Sequence, residues 1–516
     1  MTPEKVLILD TTLRDGEQTA GVSFNADEKL TLAKILLEEL KVNRIEVCSA
    51  RVSEGEFHML SRLCSWAGTR GYIDRVEALG FVDGGLSIDW ISYAGGKVVN
   101  LLAKGSLRHL EGQLGKTPEQ HVTEIRDCIS KAQAKGMRIN LYLEDWSNGM
   151  ISSPDYVFFM MDSLKDSGIE RFMLPDTLGI LNPTQTREFC TRMVEKYPGC
   201  SFDFHAHNDY DLATANVFEA VSSGISGIHT TVNGLGERAG NIPVSSALAI
   251  LNDQLRVPNS LDEASLTRVS HYVETISGIR IPANKPVIGA NVFTQTAGIH
   301  ADGDKKAGLY ENALIPERFG RVREYALGKN SGKASVLKNL EKFGIHLTPD
   351  QMKKVTARVV ELGDKKEQVT PEDLPFIIAD VLKSGVSTTR DNIHVVNYNL
   401  SLAYGMRPVA SLKINIHGQD YQETASGDGV YDAFMKALWK IYDRLGKSHP
   451  RLVDYQITIP PGGKTDALVA ATISWNNNGQ LLKTRGIDSD QNEAAIKATI
   501  KMLNLIENIE INAKQQ

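Results

Sequence analysis

Two histidines, His205 and His207, stand two residues apart in the apolar run SFDFHAH (201–207). Alternate residues of a β-strand point to the same face, so both imidazoles can face one metal ion. Histidine nitrogen is a common ligand of such ions. An HxH pair taken alone is more often two packed or exposed side chains, and a metal site needs further ligands.

Oxygen ligands for the same ion are offered by Asp15 and Asn241, which follow the first and the last of a series of predicted strands. Two nitrogen and two oxygen ligands leave room for a bidentate substrate in an octahedral shell. Mn²⁺, Mg²⁺ and Zn²⁺ all tolerate such a set. Ligands from three strand ends favour a metal site over the packed-pair interpretation.

Arg14 precedes Asp15 directly, so its guanidinium is expected close to that ion. A guanidinium there could stabilise a developing alkoxide, and it also suits the carboxylate of a keto acid. The alternative is an ordinary salt bridge with a carboxylate at the rim of the fold. We favour the catalytic role.

The elements that must position these side chains form a repeating series. Each repeat has a short apolar or β-branched run, a polar turn and a longer stretch of helical periodicity, which is typical of βα units. The runs are residues 6–10, 44–50, 75–81, 97–103, 138–144, 171–177, 201–207 and 227–233. Eight such units close a (β/α)8 TIM barrel, whose active site lies where the strands end.

The alternative to a barrel is an open, doubly wound sheet. That fold binds phosphate with a Gly-rich turn after its first strand. This chain has TTLRDGEQ (11–18) at that place, so the pattern favours the barrel.

The rhythm of the sequence changes after about residue 280. A Gly-, Lys- and Pro-rich stretch (282–330) leads into a helical region, and the polar segment 384–392 suggests a boundary. Beyond it we predict strand, strand, helix, three strands and helix. The predicted domains are a barrel (1–280), a helical linker subdomain (281–390) and a C-terminal α/β domain (391–516).

Composition excludes several classes of protein. The 516 residues exceed what one hydrophobic core supports, and the net charge of -6 is spread along the chain. We therefore expect neither nucleic acid nor a membrane as partner. The start MTPEKVLILD lacks the pattern of a signal peptide, which predicts a cytoplasmic protein. The five scattered cysteines predict reduced thiols rather than disulfides or a zinc cage.

Several motifs resemble the isopropylmalate, homocitrate and citramalate synthase family, and the likeness covers nearly the whole chain. They are LDTTLRDGEQ (9–18), LPDTLGI (174–180), FHAHNDYDLA (204–213), NGLGERAGN (233–241) and TQTAGIHADG (294–303). A second set is similar to the citramalate synthases regulated by isoleucine: SARVSEGE (49–56), NLYLEDWSNG (140–149), HADGDKK (300–306) and IPPGGKTDALV (459–469). The chain departs from the isopropylmalate synthases at Tyr210 and Asp211, where those enzymes commonly read LG, and in its HADG loop.

The resemblance implies a metal-assisted Claisen-type condensation of acetyl-CoA with pyruvate and water, giving (R)-citramalate and CoA for isoleucine synthesis. The alternatives are a 2-isopropylmalate synthase acting on 2-oxoisovalerate and, with less support, a metal-dependent acyl-CoA lyase. The metal would polarise the keto carbonyl, Arg14 would balance the alkoxide, and Thr177 would hydrogen-bond the substrate carboxylate.

Two residues are candidates for the base that deprotonates acetyl-CoA, namely Glu144 and His300. The alternatives are a salt bridge or a brace to Arg14 for Glu144, and an exposed loop histidine for His300. The resemblance also implies a homodimer in which His300, Asp302 and Tyr310 complete the partner's site.

Two more sets follow from the resemblance, each with hydrophobic core as the alternative interpretation. Large side chains around the alkyl group of the keto acid would leave room for a methyl group: Leu79, Phe81, Leu102 and Tyr142. A pocket in the C-terminal domain would bind isoleucine as effector: Tyr431, Asp432, Leu452, Tyr455, Ile459 and Val469.

Overall fold

The computed structural model describes residues 3–296, 311–341, 345–364, 369–382, 393–458 and 469–515. The chain divides into two compact units, Met1–Phe293 with Asn312–Val322 and Thr294–Glu311 with Arg323–Gln516. Within the ranges described, no helix is long and apolar enough to span a membrane.

The first unit is built on a closed barrel of eight parallel strands in chain order. They are β1 (Leu7–Asp10), β2 (Arg44–Ser49), β3 (Val76–Phe81), β4 (Val98–Lys104), β5 (Arg138–Glu144), β6 (Arg171–Asp176), β7 (Phe202–Ala206) and β8 (Gly227–Thr230). Strand β1 pairs with both β2 and β8, which closes the ring. The predicted TIM barrel is confirmed, since every predicted run overlaps one of these strands.

Helices alternate with the strands. Those of the first unit are Ala26–Lys34, Glu54–Arg70, Leu86–Tyr93, Leu107–His109, Pro118–Ala134, Trp146–Ser152, Pro154–Leu164, Pro183–Lys196, Ala213–Ser222, Val244–Ala249 and Leu266–Ser277. The first begins at a capping box, in which the Asn25 side chain accepts from the amides of Asp27 and Glu28. Leu32 of this helix and Leu36, two residues after its end, belong to the buried core that also contains Ile45 of β2.

The interior of the barrel contains buried charges near the amino ends of its strands. Arg44 lies 3.1 Å from Glu77 and also pairs with Asp203, which Arg171 contacts from the neighbouring strand. Desolvated charges of this kind are stable only when they are paired, and here each has a partner of opposite sign. This layer closes the bottom of the barrel beneath the strand ends.

The second unit begins with two short parallel strands, β9 (Thr294–Gln295) and β10 (Glu324–Tyr325). Its helices Lys333–Glu341, Pro349–Asp364 and Leu374–Leu382 share a small apolar core. These helices lie within residues 281–390, and the division of the chain into three domains stays a prediction. The predicted boundary at 384–392 lies outside the described residues.

Two antiparallel three-stranded sheets and two helices complete the second unit. They are β11 (Ile393–Ser401), β12 (Val409–Ile416), β13 (Gln419–Ser426), β14 (Arg451–Thr458), β15 (Val469–Asn477), β16 (Gln480–Asp488) and the helices Val430–Arg444 and Gln491–Gln515. The predicted order was wrong by one strand, since three strands precede the first of these helices. Edge strand β11 buries only Ile393 fully, so its apolar alternation is weak and such a strand is easily missed.

Candidate active site

Three predicted ligands meet at the carboxyl-end mouth of the barrel. Asp15 Oδ2 lies 3.3 Å from His205 Nε2 and 3.8 Å from His207 Nε2. All three side chains are buried, and one ligand atom from each lies within 4.8 Å of the others. His205 lies in β7 and His207 directly follows that strand, and both imidazoles face Asp15, as the spacing predicts.

Asn241 joins this cluster through its amide. Its Nδ2 donates to Asp15 Oδ2 at 2.7 Å and to the Leu235 carbonyl at 3.1 Å. A backbone bridge to His207 holds it in place. Its Oδ1 is buried and has no hydrogen-bond partner among the described residues. A buried, unpaired amide oxygen beside a carboxylate and two imidazoles fits a divalent cation.

The protonation states of the cluster also suit a metal. Burial works to raise the pKa of Asp15, but the Arg14 guanidinium and a hydrogen bond from His205 outweigh it and hold that pKa well below its ordinary value. Burial lowers the pKa of His205 and brings that of His207 to about 4. An ionised carboxylate and neutral imidazoles are the ligand forms a cation requires.

Arg14 lies beneath the cluster and is held from several sides. Its Nη2 is 2.6 Å from Glu46 Oε2 and donates to the Tyr142 hydroxyl at 3.4 Å, while Nη1 is 3.5 Å from Asp15 Oδ1. Only 11% of its side chain is exposed, so it is not a salt bridge at the rim. The guanidinium is therefore fixed beside the candidate metal ligands.

Glu46 was missed by the sequence analysis. Its fully buried carboxylate also accepts from Thr11 Oγ1 and Asn100 Nδ2, both at 2.8 Å. The available signal was a single acidic residue in the middle of the apolar run RIEVCSA (44–50). A carboxylate within a barrel strand is buried only with charged or polar partners, so such a residue indicates a polar site inside the barrel.

Glu144 ends β5 and pairs with Lys104 at the end of β4, not with Arg14. Its side chain is 23% exposed, so a ligand can reach it. The next residue, Asp145, is buried with a left-handed backbone (φ 64°) and accepts from Ser106 Oγ at 2.7 Å and Asn148 Nδ2 at 2.8 Å. A strained conformation held by side-chain contacts fixes the direction in which β5 ends.

Thr177 lies beside this turn. Its Oγ1 accepts from the Asp145 amide at 2.9 Å, and its own hydroxyl hydrogen has no acceptor within the described part of the chain. A hydroxyl can accept and donate at once, so Thr177 can still donate to a ligand carboxylate.

The predicted alkyl-pocket residues lie on neighbouring strands. Leu79 and Tyr142 belong to a small apolar cluster inside the barrel, with Leu102 packed against it. Phe81 pairs in register with Leu102, which pairs with Tyr142, but Phe81 is 38% exposed at the end of β3. Tyr142 is more than an apolar wall, because its hydroxyl makes polar contacts deep in the barrel.

Four predicted site residues, His300, Asp302, Tyr310 and Ile459, lie outside the described residues. Of the proposed effector set, the rings of Tyr431 and Tyr455 stack with centroids 5.2 Å apart. Asp432 pairs with Lys436 at 2.6 Å, and Leu452 is 38% exposed. Val469 is buried at the start of β15. An effector role for these residues stays a prediction.

The fold and these residues define an enzyme-type (β/α)8 barrel with a candidate divalent-metal site at its mouth. Family models match three consecutive segments: HMGL-like (5–273), homocitrate synthase post-HMGL domain-like (287–367) and LeuA allosteric (dimerisation) domain (368–507).

Full-length relatives agree with these matches. The (R)-citramalate synthase CimA of Methanocaldococcus jannaschii is 32% identical over 98% of this chain and 100% of its own length. The 2-isopropylmalate synthase of the same organism is 30% identical over 98% of this chain and 95% of its own length. That of Bradyrhizobium diazoefficiens is 29% identical with the same coverage. The chain belongs to this family of citramalate and isopropylmalate synthases, which are acyltransferases on an HMGL-like barrel, and the resemblance found in the sequence is confirmed.

Proposed function

We propose that this protein condenses acetyl-CoA with pyruvate and water to give (R)-citramalate and CoA, the first step of isoleucine synthesis from pyruvate. The observation that carries the proposal is Arg14 fixed 3.5 Å from Asp15 of the candidate metal cluster and in contact with Tyr142, which belongs to a small apolar cluster inside the barrel. Such a site binds a small acid with a polar and an apolar end.

Asp15, His205, His207 and Asn241 would hold the divalent metal, for which Mn²⁺, Mg²⁺ and Zn²⁺ are the candidates. When bound, it supplies Lewis-acid polarisation of the keto carbonyl. Arg14 balances the negative charge that develops on that oxygen, and Glu46 keeps the guanidinium in place. Thr177 donates its hydroxyl hydrogen to the substrate carboxylate.

Glu144 is our first candidate for the base that removes a methyl proton of acetyl-CoA. It lies at the mouth, is partly exposed and is oriented by Lys104. The resulting carbanion attacks the keto carbon, and water then cleaves the thioester to release CoA. His300 is the alternative base, and His300, Asp302 and Tyr310 are proposed to reach the partner's barrel in a homodimer.

The choice of keto acid depends on the space left by Leu79, Leu102, Tyr142 and, at the mouth, Phe81. Relatives named for citramalate and for isopropylmalate synthesis are about equally similar to this chain, at 32% and 30% identity, so overall identity does not separate the two activities. An isopropyl group needs a wider cavity than a methyl group. One methylene changes binding by only about 1 to 3 kcal/mol, so these few side chains decide the preference.

The remaining domains are proposed to connect and regulate. Residues 281–390 would link the barrel to a domain formed by 391–516, which binds isoleucine and dimerises. The match of the LeuA allosteric (dimerisation) model supports this role, and we propose that the stacked rings of Tyr431 and Tyr455 form one wall of the effector pocket.

The test is release of free CoA, detected with a thiol reagent, from acetyl-CoA with pyruvate, 2-oxoisovalerate or 2-oxoglutarate in the presence of Mn²⁺ or Mg²⁺. We expect the highest kcat/KM with pyruvate. A preference for 2-oxoisovalerate would make the protein a 2-isopropylmalate synthase. No release with any of the three acids would overturn the condensing activity and favour a lyase.

A further inference from the structure

A line of buried polar contacts runs from Arg14 down the barrel. The Tyr142 hydroxyl lies 3.4 Å from Arg14 Nη2 and 3.1 Å from His229 Nδ1. His229 Nε2 lies 3.3 Å from Asp203 Oδ2, and Arg44 and Arg171 hold Asp203 from the other side. Tyr142, His229 and Asp203 are 3% exposed or less. Neither His229 nor Asp203 has a role in the proposed condensation itself.

The direction of each hydrogen bond along this line can be assigned by starting from Asp203, which is paired with two arginines. Arg171 donates to Oδ1 of Asp203 and Arg44 donates to its Oδ2, so the carboxylate is ion-paired through both oxygens. An ionised carboxylate only accepts, so His229 donates from Nε2. Arg14 has only hydrogens to offer, so the Tyr142 oxygen accepts from it and the hydroxyl hydrogen needs another acceptor, of which His229 Nδ1 at 3.1 Å is the nearest.

The Tyr142 hydroxyl therefore donates to His229 Nδ1 and turns a lone pair towards Arg14. The competing acceptor, Glu46 Oε2, is farther away at 3.4 Å and already accepts from Arg14 and Thr11. Through this arrangement the Tyr142 oxygen accepts from Arg14 Nη2, and the two hydrogen bonds favour the position of the Tyr142 ring in the apolar cluster with Leu79.

We propose that His229 is a positioning residue for the condensation, acting through the Tyr142 hydroxyl to fix both the Arg14 guanidinium and the Tyr142 ring, with Asp203 selecting its tautomer. The effect on turnover rests on the proposed function of the barrel. Charge balance does not require His229, because Asp203 already contacts two arginines. His229 Nδ1 contacts the Tyr142 hydroxyl, so the role left for the ring is to accept that hydrogen bond.

Two substitutions of His229 separate hydrogen bonding from packing. His229→Leu keeps bulk and removes both polar contacts, whereas His229→Gln can donate to Asp203 and accept from Tyr142. We expect His229→Leu to lower kcat about 10- to 100-fold, the range for a displaced catalytic group, with KM for acetyl-CoA unchanged. His229→Gln should stay within a few-fold of the unmodified enzyme. Equal losses in both variants would overturn the proposal.

Tyr142→Phe removes one oxygen and guards against a His229 variant that fails to fold. It should reproduce the loss of kcat and reduce the preference for pyruvate over 2-oxoisovalerate. In the double variant Tyr142→Phe/His229→Leu, kcat should fall no further than in the more damaged single variant. Multiplying losses, or an unchanged kcat in Tyr142→Phe, would show that His229 does not act through Tyr142.

A spectroscopic readout makes the outcome independent of the proposed reaction. In the full-length protein labelled with ¹⁵N-histidine, His229 should show a protonated Nε2 and an accepting Nδ1, and Tyr142→Phe should shift the Nδ1 resonance. A protonated Nδ1 would overturn the proposed hydrogen bond from the Tyr142 hydroxyl to His229 Nδ1, even if the enzyme is active. An enzyme that releases no CoA but shows the expected resonances would overturn the condensation and still support the hydrogen bond between Tyr142 and His229.

Discussion

The barrel interior and the core of the C-terminal sheets bury their side chains in opposite ways. Beneath the barrel mouth Arg14, Glu46 and Asp203 are buried as paired charges. The C-terminal core instead packs apolar groups such as Leu438 and Trp475. Buried ion pairs contribute little net stability, whereas apolar contacts contribute much. We infer from this comparison that the paired charges of the barrel orient the side chains of the candidate active site. The apolar contacts of the C-terminal core mainly stabilise that domain.

The largest expected effect comes from the candidate metal ligands. Asp15→Asn removes the charged ligand and should lower kcat at least about 10³-fold, because both the Lewis acid and its geometry are lost. Metal content measured after gel filtration should fall in parallel. His58→Ala, a change of an exposed histidine, is the control and should alter neither. Full activity of Asp15→Asn would show that the reaction does not depend on a metal held by Asp15.

A core substitution in the C-terminal domain should produce the opposite pattern. Leu438 is fully buried, and Leu438→Ala should reduce the free energy of unfolding by about 2 to 5 kcal/mol. The measurement is chemical denaturation followed by domain-specific tryptophan fluorescence, for which the buried Trp475 is a reporter. We expect kcat at low temperature to stay near that of the unmodified protein, and a loss as large as that of Asp15→Asn would erase the contrast.

Arg14→Lys tests whether the guanidinium shape or only its charge matters. A lysine cannot contact Glu46, Asp15 and Tyr142 together, so we expect kcat to fall about 10²-fold with metal content unchanged. The exposed Arg192→Lys serves as the matched control. A mere two-fold loss would mean that a point charge suffices.

The smallest effect is expected for an exposed charge of the C-terminal domain. A hydrogen bond from Lys497, with further help from the Asp490 amide, lowers the pKa of Asp488 to about 2. The stabilisation is present above the ordinary pKa of the carboxyl and is lost as the pH falls through about 2. Asp488→Asn should therefore lower Tm slightly at pH 6 and leave it unchanged near pH 2. A difference that grows on acidification would contradict this assignment.

The sequence predicted those parts of the molecule that local patterns encode. The eight barrel strands are apolar runs, and Asp15, His205, His207 and Asn241 follow from strand ends that meet at one mouth. Glu46 was missed because its partner Arg14 is 32 residues away and meets it only once the barrel closes. The hydrogen bond between His229 and Tyr142 was missed for the same reason, since the two residues are distant in the chain. Edge strand β11 was missed because an exposed strand lacks a clear alternation of buried and exposed residues.

The most direct test of the account is a metal titration of the chelator-treated protein with acetyl-CoA and pyruvate. We expect no CoA release without metal and recovery of release on adding Mn²⁺ or Mg²⁺, with about one ion bound per chain. We also expect a higher kcat/KM for pyruvate than for 2-oxoisovalerate. Metal-independent release of CoA would contradict the assigned role of Asp15, His205 and His207.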